Sequence, residues 1–167
     1  TMMVIVSDNT ATNLAIDRFG IDPVNARVEA LGLKNTHRYK KVMKPATGPL
    51  PADYAKFGLG KTTPREMAEL MEDIGECHLR RAGAGRSAWT PMDAQDKAVC
   101  DVALGMLKDQ FYRDTVPRYL PNGGDQTVAS KTGSLNAVRN DVSIVAGKSG
   151  PMVLSIFTYD NQDHSWT

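Results

Sequence analysis

No stretch of this sequence approaches the roughly 20 consecutive apolar residues that span a bilayer. The longest apolar runs, Val142–Ala146 and Met152–Phe157, are strand-sized, so membrane insertion is not expected. A charge excess of one sign is missing as well. Twenty Lys and Arg face 19 Asp and Glu, a net charge of +1, which gives no electrostatic ground for a nucleic-acid partner. Cysteine is scarce: Cys77 and Cys100 allow one pairing that the sequence leaves open, and two half-buried thiols on neighbouring helices is the simpler reading. His37, His78 and His164 are scattered, and no Cys-x-x-Cys or His-x-x-x-His spacing occurs, so no metal or other cofactor is expected. The sparse aromatics show no base-stacking pattern, and Trp89, Tyr112, Tyr119 and Trp166 read as packing. There is no internal repeat and no low-complexity tract. The apolar opening Thr1–Val6 lacks the charged flank and cleavage site of a signal peptide and reads as the end of a buried helix. Asp163–Thr167 follows a strand without turn or cap, so both ends read as cut.

The balance that remains, 41% hydrophobic and 23% charged residues over 167 positions, is that of a soluble globular domain able to bury a core. Asp8-Asn9-Thr10 precedes Ala11, Leu14, Ala15 and Ile16 at helical spacing, with Gly20 closing the segment. Asp22 as N-cap and Pro23 at the first helical position open a second helix, apolar at Val24, Val28 and Leu31, which Gly32 ends. From Lys34 to Thr62 the periodicity vanishes among prolines and glycines, and loops of this length inside a compact domain are usually functional or disordered. Thr63 and Glu66 suggest a capping box for a helix carrying Met67, Leu70, Met71 and Ile74, broken at Gly83-Ala84-Gly85. Thr90-Pro91 starts another, running to about Lys108 with Ala94, Ala98, Val102 and Leu104 facing inward. Strand texture follows: Thr127–Leu135, then Asn140–Gly147 with Val142, Ile144 and Ala146 on a buried side, then Met152–Tyr159. The last two form an antiparallel hairpin across Lys148-Ser149-Gly150-Pro151. Helices first and strands last indicate an α+β fold.

Two triplets carry chemistry together. Ser7-Asp8-Asn9 lies just before a helix, and Lys131-Thr132-Gly133, followed by Ser134, lies in a strand. Each alone is ordinary, the first an N-cap and the second a strand edge with a turn. As a pair they match the Ser-Asp-Asn and Lys-Thr-Gly elements of class A β-lactamases and penicillin-binding proteins. The residue types suit acyl transfer. A proton must reach the leaving nitrogen, and a hydroxyl beside an ammonium relays it, which casts Ser7 and Lys131 as the catalytic pair. The lysine charge also lowers the pKa of the hydroxyl and attracts a substrate carboxylate. Gly133 lets the backbone approach the substrate, and the Ser134 N–H supplies half of an oxyanion hole.

The likeness extends along nearly the whole chain. Val6–Leu14, Thr62–Ala68, Ser130–Leu135 and Arg139–Val145 resemble successive blocks of the penicillin-recognising serine hydrolases, nearest to the class A β-lactamases. The resemblance implies a β-lactamase/transpeptidase-like α+β fold as one incomplete domain over 1–167. Its mostly helical part covers 1–120 with an omega-like loop at 34–62, and 121–167 supply about three antiparallel strands. It further implies that Asn9 contacts the catalytic lysine and the acylamino group of the substrate. Thr132 would join Lys131 on the substrate carboxylate. Arg139 assists there if its register allows, an exposed strand arginine being the alternative. The implied substrate is a small-molecule β-lactam or a D-Ala-D-Ala-like peptide, and the implied setting is periplasmic or secreted in a bacterium.

The sequence departs from the pattern twice. No Ser-x-x-Lys occurs in it, so the nucleophile and its base are expected upstream of Thr1, on a segment that could remain docked against this chain. Between Arg38 and Thr63 the only acid is Asp53, with no Glu-x-x-Asn to activate a deacylating water. The readings left open are a β-lactamase, a D,D-peptidase or esterase-like relative, and a non-catalytic binding module with the same fold.

Overall fold

The computed structural model describes residues 1–77, 94–121 and 127–162. Helix α1 (Met2–Ile5) is a single turn. Within it Met2 and Met3 are exposed, while Val4 packs on the core. Helix α2 (Asn9–Phe19) starts where Asp8 accepts a hydrogen bond from the Ala11 amide and stops at Gly20, whose φ of 82° only glycine adopts readily. Helix α3 (Ile21–Ala30) follows at once. Gly20 is its N-cap, so Asp22 and Pro23 lie inside the first turn instead of at the cap and first position. There the Asp22 carboxylate favours the positive end of the helix dipole.

The aperiodic stretch after α3 holds more order than its sequence suggests. Strand β1 (His37–Arg38) pairs antiparallel with β2 (Gly60–Lys61), and the short helix α4 (Tyr54–Phe57) leads into β2. Strands of two residues are too short for alternation to register. Close approach explains the glycine, since a Cβ on Gly60 would lie 2.4 Å from the His37 carbonyl oxygen.

Helix α5 (Pro64–Gly75) is capped by Thr63, which accepts from the Glu66 amide at 3.2 Å. Glu66 does not complete a capping box. Its buried carboxylate instead accepts from the Asn35 amide, Asn35 Nδ2 and Thr36 Oγ1 at 2.8, 2.8 and 2.6 Å, tying the helix to the loop. The helix ends before Gly83-Ala84-Gly85 because Cys77 turns left-handed. Those glycines, Thr90-Pro91, Trp89 and Trp166 lie outside the described residues. Helix α6 (Ala94–Lys108) is rotated from the expected phase. Ala94, Ala98 and Val102 are exposed, and Cys100, Leu104 and Leu107 face inward. The helix is apolar on more than one face, and the leucines, which bury more area than alanines, take the side toward the sheet.

Strands β3 (Val128–Leu135), β4 (Val138–Gly147) and β5 (Gly150–Thr158) form one antiparallel sheet in that order, joined by turns at Asn136-Ala137 and Lys148-Ser149. The core is where α5 and α6 meet one face of it: Met71, Leu107, Ala129, Val142 and Ile144. Strand β4 is not half-buried as its alternation suggests, and Ala146 is exposed. From Asp141 to Val145 every residue is buried, because the strand is central and both faces are covered. On the far face Asp141 accepts from Thr115 Oγ1 and, at 3.2 Å, from the amide of Val116, which opens a 3-10 turn (Val116–Tyr119). Pro151, which cannot donate to a ladder, stands on the edge strand. No helix among the described residues is long and apolar enough to cross a membrane.

Candidate active site

Ser7 occupies the corner between α1 and α2, with a φ of 52° in the left-handed region. For a residue with a Cβ that conformation costs about 1–2 kcal/mol, so the surrounding structure must hold it. The fully buried Gln110, just past α6, supplies part of that hold. Its Nε2 donates to the Val4 carbonyl at 2.9 Å and reaches the Ser130 carbonyl at 3.5 Å, while the Phe111 amide donates to the Ile5 carbonyl at 2.9 Å. One side chain thereby joins the turn before Ser7 to the strand residue before Lys131. Across the gap, Lys131 Nζ donates to Ser7 Oγ and, at 2.6 Å, to the Thr132 carbonyl.

These residues open on a cleft of about 940 Å³ whose lining includes Ser7, Asn9, Lys131, Thr132, Gly133, Ser134 and Arg139. The structure thus brings all seven predicted site residues together from the start of α2, from β3 and from β4. Burial lowers the Lys131 pKa below its ordinary value, and the Asp141 carboxylate on the neighbouring strand offsets part of that shift. Arg139 sits opposite Ser134 in the ladder, and its Nη1 donates to the Leu135 and Val138 carbonyls at 2.5 and 2.9 Å, bracing the β3–β4 turn. Asn9 is exposed at the first position of α2.

The opposite wall comes from the loop. Asn13 on α2 grips Val42 at both backbone atoms, Nδ2 to the carbonyl at 3.0 Å and Oδ1 from the amide at 2.9 Å. This pair of hydrogen bonds sets Val42 and Met43 against the cleft. Asp53, the one acid of the loop, is elsewhere: it accepts from Tyr39 Oη at 2.9 Å and Lys61 Nζ at 3.0 Å, bonds that hold its pKa below the usual range. Several lining residues escape sequence reasoning. Arg38 and Lys40 come from the aperiodic stretch, and Tyr112, Asp114 and Arg118 from the turn after α6. Tyr112 is therefore cleft lining instead of packing, and Tyr119 is exposed beneath the Arg118 guanidinium, 5.8 Å from its ring centre. No disulfide links Cys77 and Cys100, whose thiols are hydrogen-bonded to each other.

A sequence model of the β-lactamase enzyme family (Beta-lactamase2) matches residues 1–166. The chain belongs to that family. Among solved structures it is similar to a β-lactamase from Sphaerobacter thermophilus, with 30% identity and a TM-score of 0.73, over 98% of this chain and 54% of that one. The penicillin-binding protein PBP-A shares the fold at 24% identity and a TM-score of 0.62, over 95% of this chain and 51% of its own. The TLA-3 extended-spectrum β-lactamase does so at 19% and 0.66, over 98% and 55%. The chain spans about half the length of each. No curated protein matches it. Within the β-lactamase fold, the cleft between the start of α2, strand β3 and the loop is the candidate site.

Proposed function

We propose that the protein of which this chain is part is a serine hydrolase that forms a covalent acyl-serine intermediate with a β-lactam or a D-Ala-D-Ala-like substrate. The observation that carries this reading is the hydrogen bond from Lys131 Nζ to Ser7 Oγ, made across 124 residues of chain inside one cleft. A serine hydroxyl outside these residues gives its proton to a general base there and attacks the substrate carbonyl, and the carbonyl–nitrogen bond breaks. Ser7 passes its proton to the leaving nitrogen and regains one from that base, while the adjacent ammonium stabilises the alkoxide character that develops in between. Lys131 and Thr132 bind the substrate carboxylate, Asn9 faces the acylamino group, and the Ser134 amide contributes to the oxyanion hole. The test is nitrocefin turnover and covalent labelling by a fluorescent penicillin, with the full-length gene product. Labelling supports the reading, and the absence of both labelling and turnover overturns it in favour of a binding module.

The loop wall favours a second reading, a penicillin-binding D,D-peptidase type of enzyme over a fast β-lactamase. Val42 and Met43 present apolar side chains to the cleft, Asp53 is engaged outside it, and Asp114 is the only carboxylate among the lining residues. An acyl-enzyme with no loop carboxylate to activate water hydrolyses slowly. Such an enzyme labels stoichiometrically and keeps the label for many minutes. Rapid steady-state hydrolysis of nitrocefin would decide for the β-lactamase. PBP-A, which shares this fold, has been captured as an acyl-enzyme with penicillin G in a variant form.

A further inference from the structure

Lys131 and Thr132 account for one carboxylate of the proposed substrate. The loop side of the same cleft carries positive charge that the reaction leaves unused: Arg38 on β1 and Lys40 two residues on. With Arg118, Lys131 and Arg139, five cations line a cleft that holds one carboxylate, Asp114, in a protein whose net charge is only +1. Two loop cations outside the cleft are matched, Lys41 by Asp17 and Lys61 by Asp53. Arg38 is not. Its Nε and Nη2 are buried without a hydrogen-bond partner among the described residues, and burial lowers its pKa with no neighbouring carboxylate to oppose the shift. Buried guanidinium donors left unmatched are costly, and the group cannot escape by losing its proton. Nor is Arg38 loosely held. Asn25 Nδ2 donates to its carbonyl at 2.8 Å, its amide donates to Asn25 Oδ1 at 2.7 Å, and it pairs with Gly60 in the ribbon. A cation fixed this firmly at its backbone is preorganised for a ligand.

Resting on the carboxylate-binding role given above to Lys131, we propose that Arg38, aided by Lys40, forms a second anion subsite in the cleft. It takes a carboxylate on the acyl side chain of the substrate, so the preferred acyl donor is a dianion. A guanidinium suits carboxylate geometry, and Lys40, held 5.2 Å above the Tyr54 ring, adds charge from the same side.

Benzylpenicillin and carbenicillin test this directly, since they differ by one carboxylate on the acyl side chain. Acylation rate constants and equilibrium dissociation constants for both are measured with the full-length gene product, its Arg38→Gln variant and its Arg38→Lys variant. The wild-type protein is expected to prefer carbenicillin by about 10-fold or more at low ionic strength, with the preference shrinking as salt is added. Arg38→Gln brings the ratio to about one, and Arg38→Lys retains part of it. Because the readout is a ratio within each protein, a partly folded variant does not disturb it. A wild-type ratio at or below one overturns the subsite, as does a preference that survives Arg38→Gln. If neither penicillin acylates the protein but carbenicillin binds reversibly with the Arg38-dependent preference, the subsite stands and the proposed reaction falls. Absence of both acylation and binding overturns both.

Discussion

At the scale of single residues, the contact between Lys131 and Ser7 makes two separable demands on the chemistry. In the proposed reaction the hydroxyl must be present to carry the proton, and the ammonium must be charged to steer it. Ser7→Ala is expected to lower the acylation rate by about 10²–10⁴-fold, the span of one general acid–base contribution, with folding intact by circular dichroism. Burial holds the Lys131 pKa below the ordinary lysine value of 10.5. The rate is therefore expected to fall on the alkaline side at a pH below 10.5, as the ammonium loses its proton. Lys131→Arg keeps the charge to higher pH and moves that limb upward, which a pH–rate profile of penicillin labelling detects. The two triplets were readable in the sequence because their residue types are tied to chemistry. Arg38 was not, since nothing in an aperiodic stretch tells a lining cation from a solvated one.

At the scale of elements, the first part of the loop is fixed by polar side chains from two helices, Glu66 of α5 at Asn35 and Thr36 and Asn13 of α2 at Val42. Burial alone would raise the Glu66 pKa, but hydrogen bonds from Thr36 and Asn35 outweigh it and hold the carboxylate below its ordinary value. A carboxylate whose folded pKa lies below its unfolded one adds stability above the unfolded value of about 4.5 and loses it as the pH falls through the folded value. Glu66→Gln is expected to cost about 1–3 kcal/mol at neutral pH and to flatten this acid limb, both measurable by urea unfolding at several pH values. Element order and most helix limits followed from periodicity and caps: Asp8 and Thr63 cap where their sequence context says. Rotation about the helix axis followed only at Leu104, because α6 carries apolar residues around more than one face and packing against β3 selects Leu104 and Leu107 over Ala94, Ala98 and Val102. Burial on both faces of β4 was equally hidden, since the turn that covers Asp141 lies 25 residues away in the chain.

At the scale of the whole molecule, the core between α5, α6 and the sheet also encloses a chemical reporter. Burial first, and then the hydrogen bond with the Cys77 thiol, push the Cys100 pKa up to about 11. At pH 8 only about 0.1% of such a thiol is ionised and reactive. Iodoacetamide is therefore expected to modify Cys77 while Cys100 reacts no faster than the domain opens, which peptide mapping by mass spectrometry resolves. The thiol keeps its proton more firmly in the folded chain than in the unfolded one. Its contribution to stability is thus intact below about pH 9 and fades as the pH climbs toward 11. The α+β class and the family were legible from end to end, while the depth of the cleft's positive lining emerged only when distant stretches were folded onto one surface.

The Gln110 amide has a consequence of its own. It joins two walls of the candidate site through a group that neither gains nor loses a proton across the biological range. That link is therefore indifferent to acidity and to dissolved salt, whereas the Lys131–Ser7 contact across the same gap carries a charge and responds to both.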